Sequence, residues 1–312
     1  MKRFLLALAF VCFAAGFAAP TTAQAATCFW VGGTGNWDNT NTASWASSSG
    51  GSASSCASAG NICRASGDTC TFDGSSGGGT VTVCGAAAAN CPGGVSGNIS
   101  LVTIVASAFT GTLDFSAINP AVTLTTAFTD AGTGGTHTVN MGSGAWTFTG
   151  GAPSFDVSNT NLTLNKNTST ISMTATQTST RGLTLGTKNI GPVTLTGTNG
   201  FLTSITGAAT IDTLTINAPS VINIQASTTL TVGTLTINGT ASNAAVELFS
   251  NSGTAVGTLS ISTAMTAAWG VFKKITFAGA GSFSITNSVD LGGNSGATIG
   301  GITTGGGGII GG

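Results

Sequence analysis

Three stretches decide the fold: VTLTGTNG from Val193, TLTINAPS from Thr213 and TLTINGTAS from Thr234. Each alternates threonine with an aliphatic residue and then breaks at Gly or Asn. Period-two alternation describes a strand with one buried and one wet face. Leu214 and Ile216 then point inward, while Thr213 and Thr215 point outward. The spacing repeats: Leu195 to Ile216 and Ile216 to Ile237 are each 21 residues, as is Leu164 to Leu185. Ile237 to Ile261 is 24, and Leu185 to Leu195 is 10, as for two strands of one coil. A period of 20–50 residues marks a repeat architecture. Stacked coils bury a continuous core that no single coil could bury alone. The expected all-β fold is a right-handed parallel β-helix, or β-solenoid. Its alternative is a β-sandwich, which also spaces strands 8–12 residues apart.

Working outward, VTLTT from Val122, LTLN from Leu162, LTLG from Leu183 and TLSIS from Thr258 share this texture, which sets the solenoid at residues 96–297. Residues 26–95 read differently. They are rich in Gly, Ser, Asn and Cys and carry Trp30, Trp37 and Trp45. They are expected to form a small cap over one end of the solenoid, where open sheet edges would otherwise pair with other chains. Residues 298–312 are a Gly-rich tail, either flexible or a strand donated to a partner. Open ends also leave a homo-oligomer available.

The N-terminus reads as a secretory signal peptide, residues 1–25. Lys2 and Arg3 precede an apolar run from Phe4 to Phe17, and Ala23-Gln24-Ala25 supplies the small residues before a cleavage point. The run is too short to span a bilayer as a helix, and no span is expected after cleavage. The mature chain then starts near Ala26. Export to the cell surface or medium is expected, with the periplasm as a stopping point.

Cysteine usage agrees. Cys12 leaves with the leader, and Cys28, Cys56, Cys63, Cys70, Cys84 and Cys91 remain. An even set in an exported chain implies disulfides, with fifteen pairings open. No C-x-x-C occurs, so a zinc site has no support.

Charge excludes further classes. Of eight Lys and Arg, two lie in the leader, leaving six against nine acids. No basic stripe exists to bind nucleic acid. Asp38, Asp68, Asp73, Asp114, Asp130, Asp156, Asp212, Glu247 and Asp290 are scattered singly, as turn caps would be. Glycan cleavage needs two carboxylates in one cleft. His137 is the one histidine and reads as an exposed strand residue. Asp38, Asn39 and Asn41, or Asp68 and Asp73, offer oxygen ligands for calcium, but without a known calcium-loop pattern. No catalytic residue, metal or cofactor is expected. Lys273-Lys274 receives no role.

Two surfaces could contact a partner. Trp30, Trp37 and Trp45 offer flat indole faces for sugar stacking; alternatively they are the core of the cap. Thr213 and Thr215 would stack on Thr234 and Thr236, with Thr194 nearby, as a flat uncharged array. Such an array could meet ordered glycan or ice; alternatively its threonines reflect strand propensity alone.

Finally, CFWVGGTGNWDNTNTASWASSSGG from Cys28 resembles the opening of a widespread group of uncharacterised exported proteins of phages, prophages and proteobacteria, marked by WVGG-x-G-x-WD. DTCTFDG from Asp68, VNMGSGAWTFTG from Val139, NTSTISMT from Asn167 and NSVDLGGNSG from Asn287 extend the resemblance over residues 28–297. It implies a β-solenoid on a virion or cell surface. The cysteines and the Gly-rich extension depart from the group's pattern. Together these features lead to the expectation of a non-enzymatic structural or adhesive surface protein contacting glycan or other surface proteins. A polysaccharide-degrading enzyme and an ice-binding protein are the alternatives.

Overall fold

The computed structural model describes residues 25–85, 87–92, 98–197 and 201–301. The leader up to residue 24 and the tail beyond 301 lie outside them. The chain is a parallel β-helix. Strand after strand pairs in parallel with the strand one coil later, and the inward columns of successive coils merge into one core.

The 21-residue period is a true coil. Val193–Thr196 lies on Thr210–Asn217 with Leu195 opposite Ile216, and Thr210–Asn217 lies on Thr229–Asn238 with Ile216 opposite Ile237. Two other spacings are coincidences. Leu164 belongs to Leu162–Asn165, whose sheet partner is His137–Asn140, whereas Leu185 lies in Arg181–Gly186 on another face. Ile237 faces Ala267, and Ile261 instead stacks on Val232. An insertion within one coil moves the next strand without disturbing the stack, so equal spacing is neither necessary nor sufficient for stacking.

The cysteine-rich zone is wound into the same helix. Thr27–Trp30 pairs in parallel with Thr69–Thr71, which pairs in parallel with Asn98–Val105. On another face Gly35–Trp37, Thr80–Val83, Thr112–Asp114, His137–Asn140 and Leu162–Asn165 stack in turn. Sheet pairing therefore runs through the boundary drawn at residues 95 and 96. What covers the first coil is smaller than a module: Trp45–Ala46 pairs antiparallel with Phe29 and Trp30. A two-residue strand occupies the edge and offers little for another chain to extend.

Aromatic side chains fill the N-terminal coils. Trp30, Trp37, Trp45 and Phe72 touch edge to face or tilted, with ring centroids 5.3–6.2 Å apart. The series continues through Phe115 and Trp146 (4.8 Å), Trp146 and Phe128 (5.4 Å), and Phe128 and Phe155 (5.7 Å). Later coils hold mainly Leu, Ile and Val. Close stacking leaves no room at some corners. Gly207, at φ 109°, follows the stack on Gly186, and a Cβ there would lie 2.4 Å from the Gly186 carbonyl oxygen.

Three disulfides pair all six cysteines: Cys28–Cys56, Cys63–Cys70 and Cys84–Cys91. All six are buried, and Cys28 stacks on Cys70, so two bridges sit side by side in the first coils. Such bonds persist in oxidising compartments. The Cys28–Cys56 loop spans 28 residues, against 7 for each of the others. The loop-entropy model assigns it about 3.5 kcal/mol, and about 2.5 kcal/mol to each short loop. Replacing Cys28 and Cys56 together by Ser is expected to destabilise the oxidised protein more than replacing either short pair. Urea unfolding of the three double variants checks that order.

Candidate functional site

Parallel stacking turns one outward position per coil into a column. Ser100 faces Thr123, Thr123 faces Thr147, and Thr147 faces Ser172. Ser172 faces Thr194, which faces Thr215, which faces Thr236. Thr236 faces Thr266, which faces Ser284. These nine rungs are all Ser or Thr, and at about 4.8 Å per coil the column runs roughly 38 Å. Apolar columns flank it on the core side: Val193, Leu214 and Leu235 on one side, and Leu195, Ile216 and Ile237 on the other. Those residues are buried, which fixes the hydroxyl residues outward. No rung carries a charge.

The five threonines singled out above fall on two columns. Thr194, Thr215 and Thr236 belong to the continuous one. Thr213 and Thr234 form an adjacent one, which meets Ala264 on the following coil. Continued one residue back, the register sets Pro192 against Thr213. The two-column array is therefore two coils deep, with Thr213 and Thr215 stacked on Thr234 and Thr236. Asparagines border the column, with Asn238 Nδ2 donating to Asn217 Oδ1 at 2.9 Å and Asn217 Nδ2 to Thr196 Oγ1 at 3.2 Å. The remaining rungs escaped the sequence reading because their spacing varies from 18 residues, Thr266 to Ser284, to 30, Thr236 to Thr266.

The tryptophans are not a sugar platform. Trp30, Trp37 and Trp45 are each 0% exposed. They form the aromatic core of the first coils, and Trp37 Nε1 donates to the Cys63 carbonyl at 2.8 Å. A small coil stapled by short loops has few other large apolar groups to bury.

His137 is likewise not on the surface. It is 3% exposed, and its inward position matches that of Val139 two residues on. Nδ1 donates to the Gly135 carbonyl at 2.7 Å, and Nε2 pairs with Asp130 Oδ2 at 2.6 Å. Asn159 Nδ2 donates to Asp130 Oδ1 at 2.9 Å. Burial pulls the imidazole pKa down, but the hydrogen bonds to Asp130 and Gly135 and the Asp130 charge outweigh it. The net shift is upward. The Gly135 carbonyl can only accept, so Nδ1 carries a proton.

Most carboxylates serve their own turns. Asp38, Asp73, Asp114, Asp156 and Asp290 each accept from the backbone N–H two residues on, at 2.7–3.0 Å. This is the Asx-turn geometry. Asp38 Oδ1 also accepts from the Asn41 N–H, and the Asn39 side chain donates to the Ala89 carbonyl. Asp212 pairs with Lys166 at the surface. Asp68 is fully buried and takes four donors (Ala26 N, Ser58 Oγ, Arg64 N and Ala65 N). Among the described residues, no three His, Cys, Asp or Glu side chains cluster as a metal site would require. Lys273 and Lys274 line a small concavity of about 290 Å³ with Asn223 and Asn251. A larger open groove of about 730 Å³ lies along another face, lined by Asn140, Asn165, Asn189, Lys166 and Ser116 among others.

No helix among the described residues is long and apolar enough to cross a membrane. The fold and its surface define a disulfide-bonded parallel β-helix with one hydroxyl-lined flank. No family model, curated protein or solved structure matches the chain.

Proposed function

We propose that this is an exported, non-enzymatic structural or adhesive protein that lays its hydroxyl flank against an extended glycan at a cell or virion surface. The nine-rung Ser/Thr column carries the reading. A rigid, uncharged row of hydroxyls and methyls at a fixed repeat matches a polymer that itself presents hydroxyls and apolar ring faces. Rigidity in the bound geometry lowers the entropic cost of a long, shallow contact. The engagement of most carboxylates in local turns favours attachment over glycan cleavage, which needs two carboxylates free to face one bond. The buried disulfides and the signal-like leader support export, and the resemblance to phage and proteobacterial solenoid proteins supports a surface setting.

The test is co-sedimentation of the purified protein with insoluble polysaccharides, comparing wild type with the Thr194→Lys/Thr236→Lys variant. The two lysines would project from a flat face two coils apart and hold a polymer off it. Binding is expected to weaken at least tenfold, while unfolding free energy falls by no more than about 2 kcal/mol, because both threonines are half-buried and point outward from the sheet. Retention of wild-type binding by the variant, or no retention of wild type on any polysaccharide, would reject the reading.

A further inference from the structure

We propose that cleavage between Ala25 and Ala26 creates an α-ammonium group that docks on the buried carboxylate of Asp68, so that removal of the leader completes the first coil. Ala26 N lies 3.0 Å from Asp68 Oδ1. The other carboxylate oxygen is taken by Ser58 Oγ and by the backbone N–H groups of Arg64 and Ala65. Asp68 is 0% exposed and belongs to neither of the two ion pairs found among the described residues. A buried carboxylate is ordinarily paired with a cation, and Ala26 N is where one would arise.

The rest of the site holds the new terminus in place. Ala26 O accepts from Thr69 N at 2.9 Å, so residue 26 is pinned on both sides as the parallel pairing of Thr27 with Thr69 begins. Asp68 O accepts from Val102 N and Thr103 N, which ties the same residue to the next coil. On the other side of the scissile bond, Ala25 packs on Gly67, where an added Cβ would meet Ala25 Cβ at 3.0 Å. Small residues at 23 and 25 are what a signal peptidase requires.

The chemistry is a hydrolysis. Water breaks the bond between Ala25 C and Ala26 N; its hydroxyl goes to the Ala25 carbonyl carbon and its proton to Ala26 N. At neutral pH the new carboxylic acid loses its proton and the new amine gains one. The neutral N–H···carboxylate bond at Asp68 thereby becomes an ammonium–carboxylate pair, and charge-assisted bonds are roughly twice as strong as neutral ones.

This differs from the surface role proposed above and stands or falls separately. The first measurement is the intact mass of the exported protein, which is expected to correspond to a chain beginning at Ala26. The second compares two oxidatively refolded chains, one beginning at Ala26 and one at Ala25. In the longer chain Ala26 N is a neutral amide with the same partners. At pH 6 the unfolding equilibrium constant is expected to be at least tenfold smaller for the chain beginning at Ala26. A free α-amine titrates near pH 8, so the advantage should be full below that value and fall away in the alkaline range as the docked ammonium deprotonates. Asp68→Asn should abolish the difference between the two chains. Equal stability of the two chains at pH 6, or an exported chain beginning elsewhere, overturns the proposal.

Discussion

Trp146→Ala lowers the free energy of unfolding by about 4 kcal/mol, at the level of the largest single truncations in protein cores. Trp146 is fully buried, and its ring meets Phe115 at 4.8 Å and Phe128 at 5.4 Å. It joins the aromatic cluster of the first coils to the Phe128–Phe155 stack below. Removal of the indole empties the largest side chain from the middle of that series and leaves the Met141 carbonyl without its indole donor. Because each coil contacts only its neighbours, the loss should stay local. Hydrogen exchange is expected to accelerate in Asn98–Val105, Ala121–Thr129 and Ser154–Asp156, and much less in Thr229–Asn238. Uniform acceleration along the whole chain would show that the β-helix unfolds as one unit and that the aromatic series has no regional role. Tryptophan fluorescence is well placed to follow the loss, since Trp30, Trp37 and Trp45 report on the same end.

The middle of this β-helix was legible because the chain there repeats without insertions. Val193–Thr196, Thr210–Asn217 and Thr229–Asn238 keep the same parity and a 21-residue step, so inward and outward columns follow directly. The first coils were opaque for a physical reason. Between the stacked residues Cys28 and Cys70 lie 41 others, many of them Gly, Ser and Asn in loops, and no periodicity survives such a separation. There, disulfides and tryptophans replace the continuous aliphatic columns as the source of cohesion. The resulting texture resembles a separate module although the sheets continue through it.

The candidate site was visible at three of its nine rungs, Thr194, Thr215 and Thr236, for the same reason. Thr194, Thr213, Thr215, Thr234 and Thr236 lie in the regular stretch, whereas Ser100, Thr147 and Ser284 lie on coils of other lengths and become neighbours only through register. For His137 the signal was present and misread. In HTVN the histidine shares parity with Val139, an inward residue, and parity outweighs the polarity of the side chain where a partner such as Asp130 is at hand. Asp68 offered no comparable signal, since its donors come from residues 26, 58, 64 and 65, which converge only in the folded chain.

The His137–Asp130 pair should make stability fall as pH rises through neutrality. Its side chains are 0% exposed, so solvent screening is slight. The folded-state pKa of His137 is raised above the ordinary 6.5. A group whose pKa is raised on folding binds its proton more tightly in the native state, so stability decreases with pH between the unfolded and folded values. The contribution is therefore complete below about pH 6.5 and is lost as pH climbs through the raised value. Lys188 lies near enough to Asp130 to feel its charge, while burial holds its own pKa below the ordinary value. The urea midpoint of the wild-type protein is expected to fall between pH 6 and pH 8, below the range in which the α-amine titrates. His137→Leu should flatten that portion of the profile and, at pH 6, cost about 3–5 kcal/mol, because it strands a buried carboxylate. Adding Asp130→Asn should recover part of the loss, since replacing both partners removes the stranded charge that replacing one creates. If His137→Leu retained the wild-type pH slope, the slope would have to arise elsewhere. If the double variant were no more stable than His137→Leu, the cost would reside in packing around the ring instead of in the charge on Asp130.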